Sequence, residues 1–244
     1  MVAGVNQEIE TVLKSLKTNR FAPVEFVATA NAATKLVLDM VPLNAKVGVA
    51  GSVTVRQIGL VKQLRARGNK IIDITGPSKL PPDELARRIL RSDILLSSSN
   101  AITRDGKLVN IDGIGNRVAG MIFGPKKVIL IISMNKLTRD VTEAIDRVKN
   151  VIAPYHAMTK GQKTPCATDG RCTDCKSPER ICNVTTIIEK RPSETDMAIV
   201  LVGEDLGLGW DPSWPSERKE KIASAYRETR KSFSQATQRG SLEK

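Results

Sequence analysis

Apolar positions recur along this chain in two rhythms, and the change from one to the other marks its elements. EIETVLKSLKTN places Ile9, Val12, Leu13 and Leu16 at helical spacing, with Asn19 as a stop. VEFVAT is short and β-branched. ANAATKLVLDMV returns to the helical rhythm until Pro42, and AKVGVAG is then a continuous apolar run closing on glycine. SVTVRQIGLVKQLRARG sets Val55, Ile58, Leu60, Val61 and Leu64 largely on one face, which predicts one helix capped at Gly68. NKIIDITG and DILLSSS predict buried strands, and PPDELARRILR the helix between them. Strands that are apolar throughout, alternating with helices, imply βαβ units and a doubly wound, mainly parallel sheet covered on both faces.

ITRDGKLVNIDG interrupts the alternation, because Asp105-Gly106 between two short β-like segments is a two-residue hairpin signal. GNRVAGMIFG then reads as helical, KKVILIIS as the most apolar strand, and LTRDVTEAIDRVKN as an amphipathic helix. From about residue 155 to 192 the chain turns polar and carries all of its cysteines, after which DMAIVLVGE offers a strand that rejoins the sheet. The expected division is an α/β domain over residues 1–205, with a cysteine-rich loop at 160–190 inserted before the last strand. A tail over 206–244 holds both tryptophans, in GWDPSWP, and a charged helix.

A chain of 244 residues can bury a full core without staples, so cysteine is not needed for folding. No apolar run reaches the roughly 18 residues of a membrane span, and MVAGVNQEIETVLK has acidic residues where a secretion signal needs a basic start. The expectation is a cytoplasmic protein without membrane insertion. A formal charge of +12 calls for an anionic partner, but aromatic residues are only 3 % and none alternates with Lys or Arg as a base-stacking platform does, which argues against nucleic acid.

In an open α/β sheet ligands bind outside the carboxyl ends of the strands. Two loops fit. In VGVAGSVTVRQIG, Gly51 allows a tight turn, Ser52 or Thr54 can cap the following helix, and the exposed N–H groups suit phosphate or carboxylate; an ordinary capped turn explains the same residues. SSSNAITRDGKLVNIDGIGNRVAG gathers Ser99, Asn100, Asp112, Gly113, Gly115, Asn116 and Arg117, with Arg117 as an anion clamp and Asp112 as base or hydroxyl acceptor, against a reading as turn-formers and caps. Lys136 follows a strand's carboxyl end and is a candidate anion contact. His156, the sole histidine, reads as a packing or surface residue. No triad or His–carboxylate pair is visible, so catalytic residues stay unassigned.

Taken together, VGVAGSVTVRQIGL, SSNAITRDGKLVNIDGIGNRVAGMIFGPKKVILI, Asn135-Lys136 and TPCATDGRCTDCKSPERICN resemble the stand-alone, cysteine-containing branch of the LUD-domain proteins, the lactate-utilisation family, from about residue 6 to 205. The resemblance implies a Rossmann-like fold similar to sugar-phosphate isomerases, coenzyme A transferases and folate cyclo-ligases, with the ligand at the glycine loop. Some members are encoded with iron–sulfur subunits that oxidise lactate to pyruvate.

Cys166, Cys172, Cys175 and Cys182 follow the pattern C-x5-C-x2-C-x6-C, which matches neither ferredoxin runs nor the paired C-x2-C of zinc ribbons. Four thiolates on one short loop can nevertheless close around zinc or hold a cubane, with Arg171, Lys176 and Arg180 offsetting their charge. The family's redox association favours a [4Fe–4S] iron–sulfur cluster, with zinc as the alternative; a redox pair at Cys172 and Cys175, or inert thiols, also fit. The functional expectation is a protein of organic-acid redox metabolism that binds an anionic small molecule, is a component of an oxidoreductase complex and works with an iron–sulfur or ferredoxin-like partner. Alternatives are a non-redox isomerase or acyl-transferase-like enzyme with structural zinc, and a non-catalytic accessory subunit.

Overall fold

The computed structural model describes residues 2–76 and 78–242, with side chains over 6–76 and 78–232. The chain runs α1 (Val2–Thr18), β1 (Val24–Val27), α2 (Ala30–Met40), β2 (Lys46–Val49), α3 (Val53–Gln57), α4 (Leu60–Ala66), β3 (Lys70–Asp73), α5 (Pro82–Ile89) and β4 (Ile94–Ser97). A hairpin of β5 (Ala101–Thr103) and β6 (Leu108–Asp112) follows, then α6 (Asn116–Ile122), β7 (Lys127–Ser133), β8 (Leu137–Thr138), α7 (Val141–Arg147), α8 (Ala153–Thr159), α9 (Pro165–Asp169), β9 (Val184–Ile188), β10 (Asp196–Val202) and α10 (Ser216–Leu242).

Six strands form a sheet in the order β1-β10-β7-β4-β2-β3, parallel at every pairing. Alternation along the two central strands explains why they read as unbroken apolar runs. Ile129, Ile131, Ala198, Val200 and Val202 enter the core on one face, and Val128, Leu130, Ile132, Met197, Ile199 and Leu201 the core on the other. The fold is thus the doubly wound α/β arrangement expected, and DMAIVLVGE supplies the strand β10 between β1 and β7.

Four local expectations change. The helix expected across residues 53–67 is two, because Gly59 adopts φ 72° and ends α3 before α4 begins. The hairpin at Asp105-Gly106 closes with three residues, Thr103 N–H donating to Lys107 O at 3.0 Å. It does not stand alone: it builds a second sheet, β8-β5-β6-β9, in which β9 arises from the stretch read as polar loop. Finally, α7 does not stop at Asn150. A π turn at Val148–Ile152 carries it into α8, so His156 sits on a helix rather than after a strand.

The tail beyond residue 205 packs back onto the domain. Leu206 joins the core beside Val200, while Leu208 and Tyr226 cluster with Val53, Ala144 and Val148. Trp210 meets Tyr155 edge-on at 5.7 Å between ring centroids, and Arg218 lies 3.5 Å over Trp214. Met1, Pro77, Glu243 and Lys244 fall outside the described residues, as do the side chains of the helix beyond residue 232. Among the described residues no helix is long and apolar enough to cross a membrane.

Candidate functional site

A cavity of about 590 Å³ opens where β2, β4, β6 and β7 end. Gly51, Ser52, Thr54, Ser99, Asn100, Asp112, Gly113, Asn116, Arg117 and Lys136 all line it, so ten residues scattered over 86 positions come to one place. Gly115 does not; it holds the turn before α6. The four cysteines do not line it either, although Pro178, Arg180, Ile181 and Asn183 from their loop form one wall.

Arg117 organises the block. Its Nη1 donates to Asn110 Oδ1 at 2.6 Å and Ser98 O at 3.2 Å, and its Nη2 to Asn100 Oδ1 at 2.8 Å and Ile111 O at 3.1 Å. Asn100 Oδ1 also accepts from Ile111 N–H at 3.0 Å, and Asn110 Oδ1 from Asn100 N–H at 3.2 Å. A guanidinium has five donors, and four of these bonds go to protein oxygens. Arg117 therefore offers a bound anion a positive field rather than the two-pronged clamp expected of it. Asp112 is likewise engaged, its oxygens accepting from Gly113 N–H and Val118 N–H at 3.2 Å each, which is a capping arrangement rather than the free base expected. Ser52 caps α3, accepting from Val55 N–H at 3.4 Å. The buried Asn116 Nδ2 has no hydrogen-bond partner among the described residues.

Lys136 lies at the floor, 4 % exposed. Its Nζ donates to Thr54 Oγ1 at 2.9 Å and Ser98 Oγ at 2.8 Å, hydroxyls that follow β2 and end β4. Both partners are neutral. Burial, with Arg117 nearby, pulls its pKa from 10.5 to about 7. Gly207 lines the cavity beside it at φ 71°; a Cβ there would overlap Thr54 Oγ1 and stand 2.9 Å from Nζ. Only a glycine leaves the amine uncovered on that side.

Four titratable groups of two helices line the cavity that the sequence reading did not place there. His156 and Lys160 come from α8, and Tyr226 and Arg230 from α10. His156 Nδ1 and the Tyr226 hydroxyl share a hydrogen bond. Burial, then the charges of Arg230, Lys160 and Arg117, take His156 down to about 3, so it is neutral at physiological pH, and burial raises Tyr226 above its ordinary value. Their one sequence signal is the spacing of His156 and Lys160, four residues apart on a single helical face.

The cysteine loop is docked against this cavity. Asn183 N–H donates to Asp112 O at 2.9 Å, and Asn183 Nδ2 to Gly113 O at 3.1 Å. Arg180 bridges the loop, donating to Cys175 O at 2.6 Å, Cys182 O at 3.2 Å and Asp174 at 2.7 Å. All four thiols are free and half-buried. Burial raises the Cys182 thiol, Arg180 opposes that rise, and Cys172 and Cys166 reinforce it, so both of these sulfurs lie within electrostatic reach of Cys182. Four soft donors beside a guanidinium suit a thiophilic centre chemically. Yet among the described residues no three His, Cys, Asp or Glu side chains stand together as a ligand set. The described part of the loop is therefore not a closed metal site.

A parallel sheet with a polar, cation-bearing pocket across its strand ends is the arrangement in which α/β domains place their ligands. The LUD domain matches residues 9–202, and the chain belongs to that family, associated in general terms with lactate utilisation. The crystal structure of a DUF162-family protein from Deinococcus radiodurans shares the fold, with a TM-score of 0.50 over 82 % of this chain and 98 % of that one at 11 % identity. The delta subunit of eIF2B from Chaetomium thermophilum gives a partial likeness only, a TM-score of 0.32 over 59 % and 57 % of the two chains at 13 % identity. No curated protein matches the sequence. Gly207, Tyr226 and Arg230 lie beyond the residues the family covers.

Proposed function

We propose that this LUD-domain protein acts in organic-acid metabolism of the lactate type and binds a small anionic metabolite or cofactor in the strand-end pocket. The observation that carries this is Lys136: a buried amine, held by two neutral hydroxyls, facing a cavity that also receives Arg117, Lys160 and Arg230. A buried cation without a counter-charge is costly. A carboxylate or phosphate seated above Nζ supplies one, and Asn116 Nδ2 stands ready as a further donor. Binding of this kind stabilises the folded chain by mass action. Thermal melts with lactate, pyruvate, coenzyme A and sugar phosphates test it on wild type and Lys136→Gln. At least one of these anions is expected to raise the wild-type midpoint and to lose most of that effect in the variant; wild-type melts unmoved by all of them contradict the proposal.

A second reading concerns the cysteine loop. The mutual influence of Cys166, Cys172 and Cys182, with Arg180 beside them, supports an inorganic centre on Cys166, Cys172, Cys175 and Cys182. An iron–sulfur cluster would serve a redox role with a ferredoxin-like partner, and zinc would brace the pocket wall. Free thiols in this number suit a reducing, cytoplasmic compartment. Anaerobic purification separates the outcomes: a brown protein that bleaches on reduction supports the cluster, colourless protein with stoichiometric zinc supports the brace, and metal-free protein after supply of both overturns the reading.

A further inference from the structure

Resting on the pocket just proposed, we infer that Lys136 is an imine-forming residue, its amine condensing with the keto carbon of a 2-oxo acid whose carboxylate is held by the cations of the same cavity. The geometry comes first. Nζ is tethered by Thr54 Oγ1 and Ser98 Oγ, so its two N–H bonds point at fixed oxygens from two strand ends. A neutral amine tethered in that way keeps its lone pair for a third direction. Lys136 and Gly207 both line the cavity, and a side chain at 207 would crowd the amine, since a Cβ there would stand 2.9 Å from Nζ and 3.1 Å from Cε. Neither tether is a carboxylate, so neither locks the group as an ammonium.

Electrostatics point the same way. The charged and titratable side chains around the cavity are Arg117 from α6, Asp112 from β6, His156 and Lys160 from α8, Tyr226 and Arg230 from α10, and Glu179 and Arg180 from the cysteine loop. Cations outnumber carboxylates, which favours the uncharged amine and an incoming anion together. With its pKa lowered to about 7, Lys136 is half neutral near pH 7, whereas an ordinary lysine at 10.5 is almost wholly protonated. Lysines desolvated beside other cations are the ones that form Schiff bases.

The step balances without a further reactant. The Nζ lone pair forms a bond to the keto carbon, and the carbonyl π pair moves to oxygen, which takes up a proton to give a carbinolamine. Nitrogen then forms the double bond to carbon as the hydroxyl leaves with a proton as water. Thr54 and Ser98 are positioning residues that can relay these protons. The resulting iminium withdraws electrons from the neighbouring carbon, so a 2-oxo acid held there is activated for loss of a proton or a bond at that position.

Incubation with pyruvate, 2-oxobutyrate or 2-oxoglutarate, followed by borohydride and peptide mapping by mass spectrometry, tests this. Hydride reduces the iminium to a stable secondary amine. The expected result is one principal adduct, at Lys136, formed faster as pH rises through about 7, and absent from Lys136→Arg although that variant retains the wild-type circular dichroism spectrum. Adducts confined to exposed lysines overturn the inference. Melts of the same samples separate the two claims: stabilisation by lactate or pyruvate without a Lys136 adduct removes the imine and leaves the anion pocket, whereas no stabilisation and no adduct removes both.

Discussion

The Asn100–Arg117 block and the cysteine loop meet at one cavity, yet they are built in opposite ways. In the block Arg117, Asn100, Asn110 and Asp112 are fixed by neighbours: Arg117 spends its donors on Asn100, Asn110, Ser98 and Ile111, and Asp112 caps the helix that carries Arg117. In the loop the backbone is tied down by Arg180 and Asn183, but the sulfurs are half-exposed and form no ligand set. The first region is preorganised as it stands. The second has a fixed backbone and half-exposed sulfurs whose geometry is open.

Removing the centre of the first region carries the largest expected effect. Arg117→Ala takes a donor from the carbonyls of Ser98 and Ile111 and from the side-chain oxygens of Asn100 and Asn110, which each keep a backbone donor; an unsatisfied buried group costs about 1–3 kcal/mol, and urea unfolding is expected to show a loss of about 3 kcal/mol. A loss below about 0.5 kcal/mol, the range of an ordinary surface change, would mean that the block is not preorganised.

Lys136→Met goes the other way. Replacing a buried amine that has only neutral partners with an apolar side chain of similar length is expected to stabilise the protein by about 1–3 kcal/mol at pH 7, while abolishing ligand-induced stabilisation. The pH dependence has a definite sign. The folded group titrates at about 7 and the unfolded one at 10.5, so the unfolded chain holds more protons between these values and wild-type stability gains from Lys136 as pH rises across that window. The gain of Lys136→Met over wild type should therefore shrink from pH 7 to pH 10, followed by urea midpoints; a constant difference would contradict the assignment.

The smallest effect belongs to the loop. Replacing all four cysteines with serine in metal-free protein is expected to change stability by less than about 0.5 kcal/mol, but to abolish the stabilisation produced by iron and sulfide or by zinc. A large loss in the metal-free state would show that the thiols are themselves part of the packing.

How much of this was legible followed from where each residue's reason lies. β7 and β10 could be read directly, because strands covered on both faces are apolar throughout. One side of the pocket could be read as well, since Gly51–Thr54, Ser98–Asn100 and Asp112–Arg117 sit at the ends of β2, β4 and β6 in runs of small and polar residues. Gly59 was lost within a helical pattern that continues on both sides of it. The continuation of α7 into α8 has no such signal: Pro154 falls just after a π turn in which Ala153 N–H bonds to Val148 O, so its missing donor meets a change of bonding register. β9 was hidden because VTTII pairs at a sheet edge and buries alternate residues only. Tyr226 and Arg230 lie on a helix whose mixed charges suggest a solvated face; only the return of the tail through Gly207 and Leu208 turns that face toward the cavity.

All of this depends on the state of one amine. Selective isotope labelling of lysine and an NMR titration of the Lys136 ε-carbon would read that state directly, with Lys136→Met assigning the signal. The account predicts a midpoint about 7, moved upward when a stabilising organic anion is present. A midpoint near 10.5 that no anion moves would show an ordinary solvated lysine and contradict the site as described.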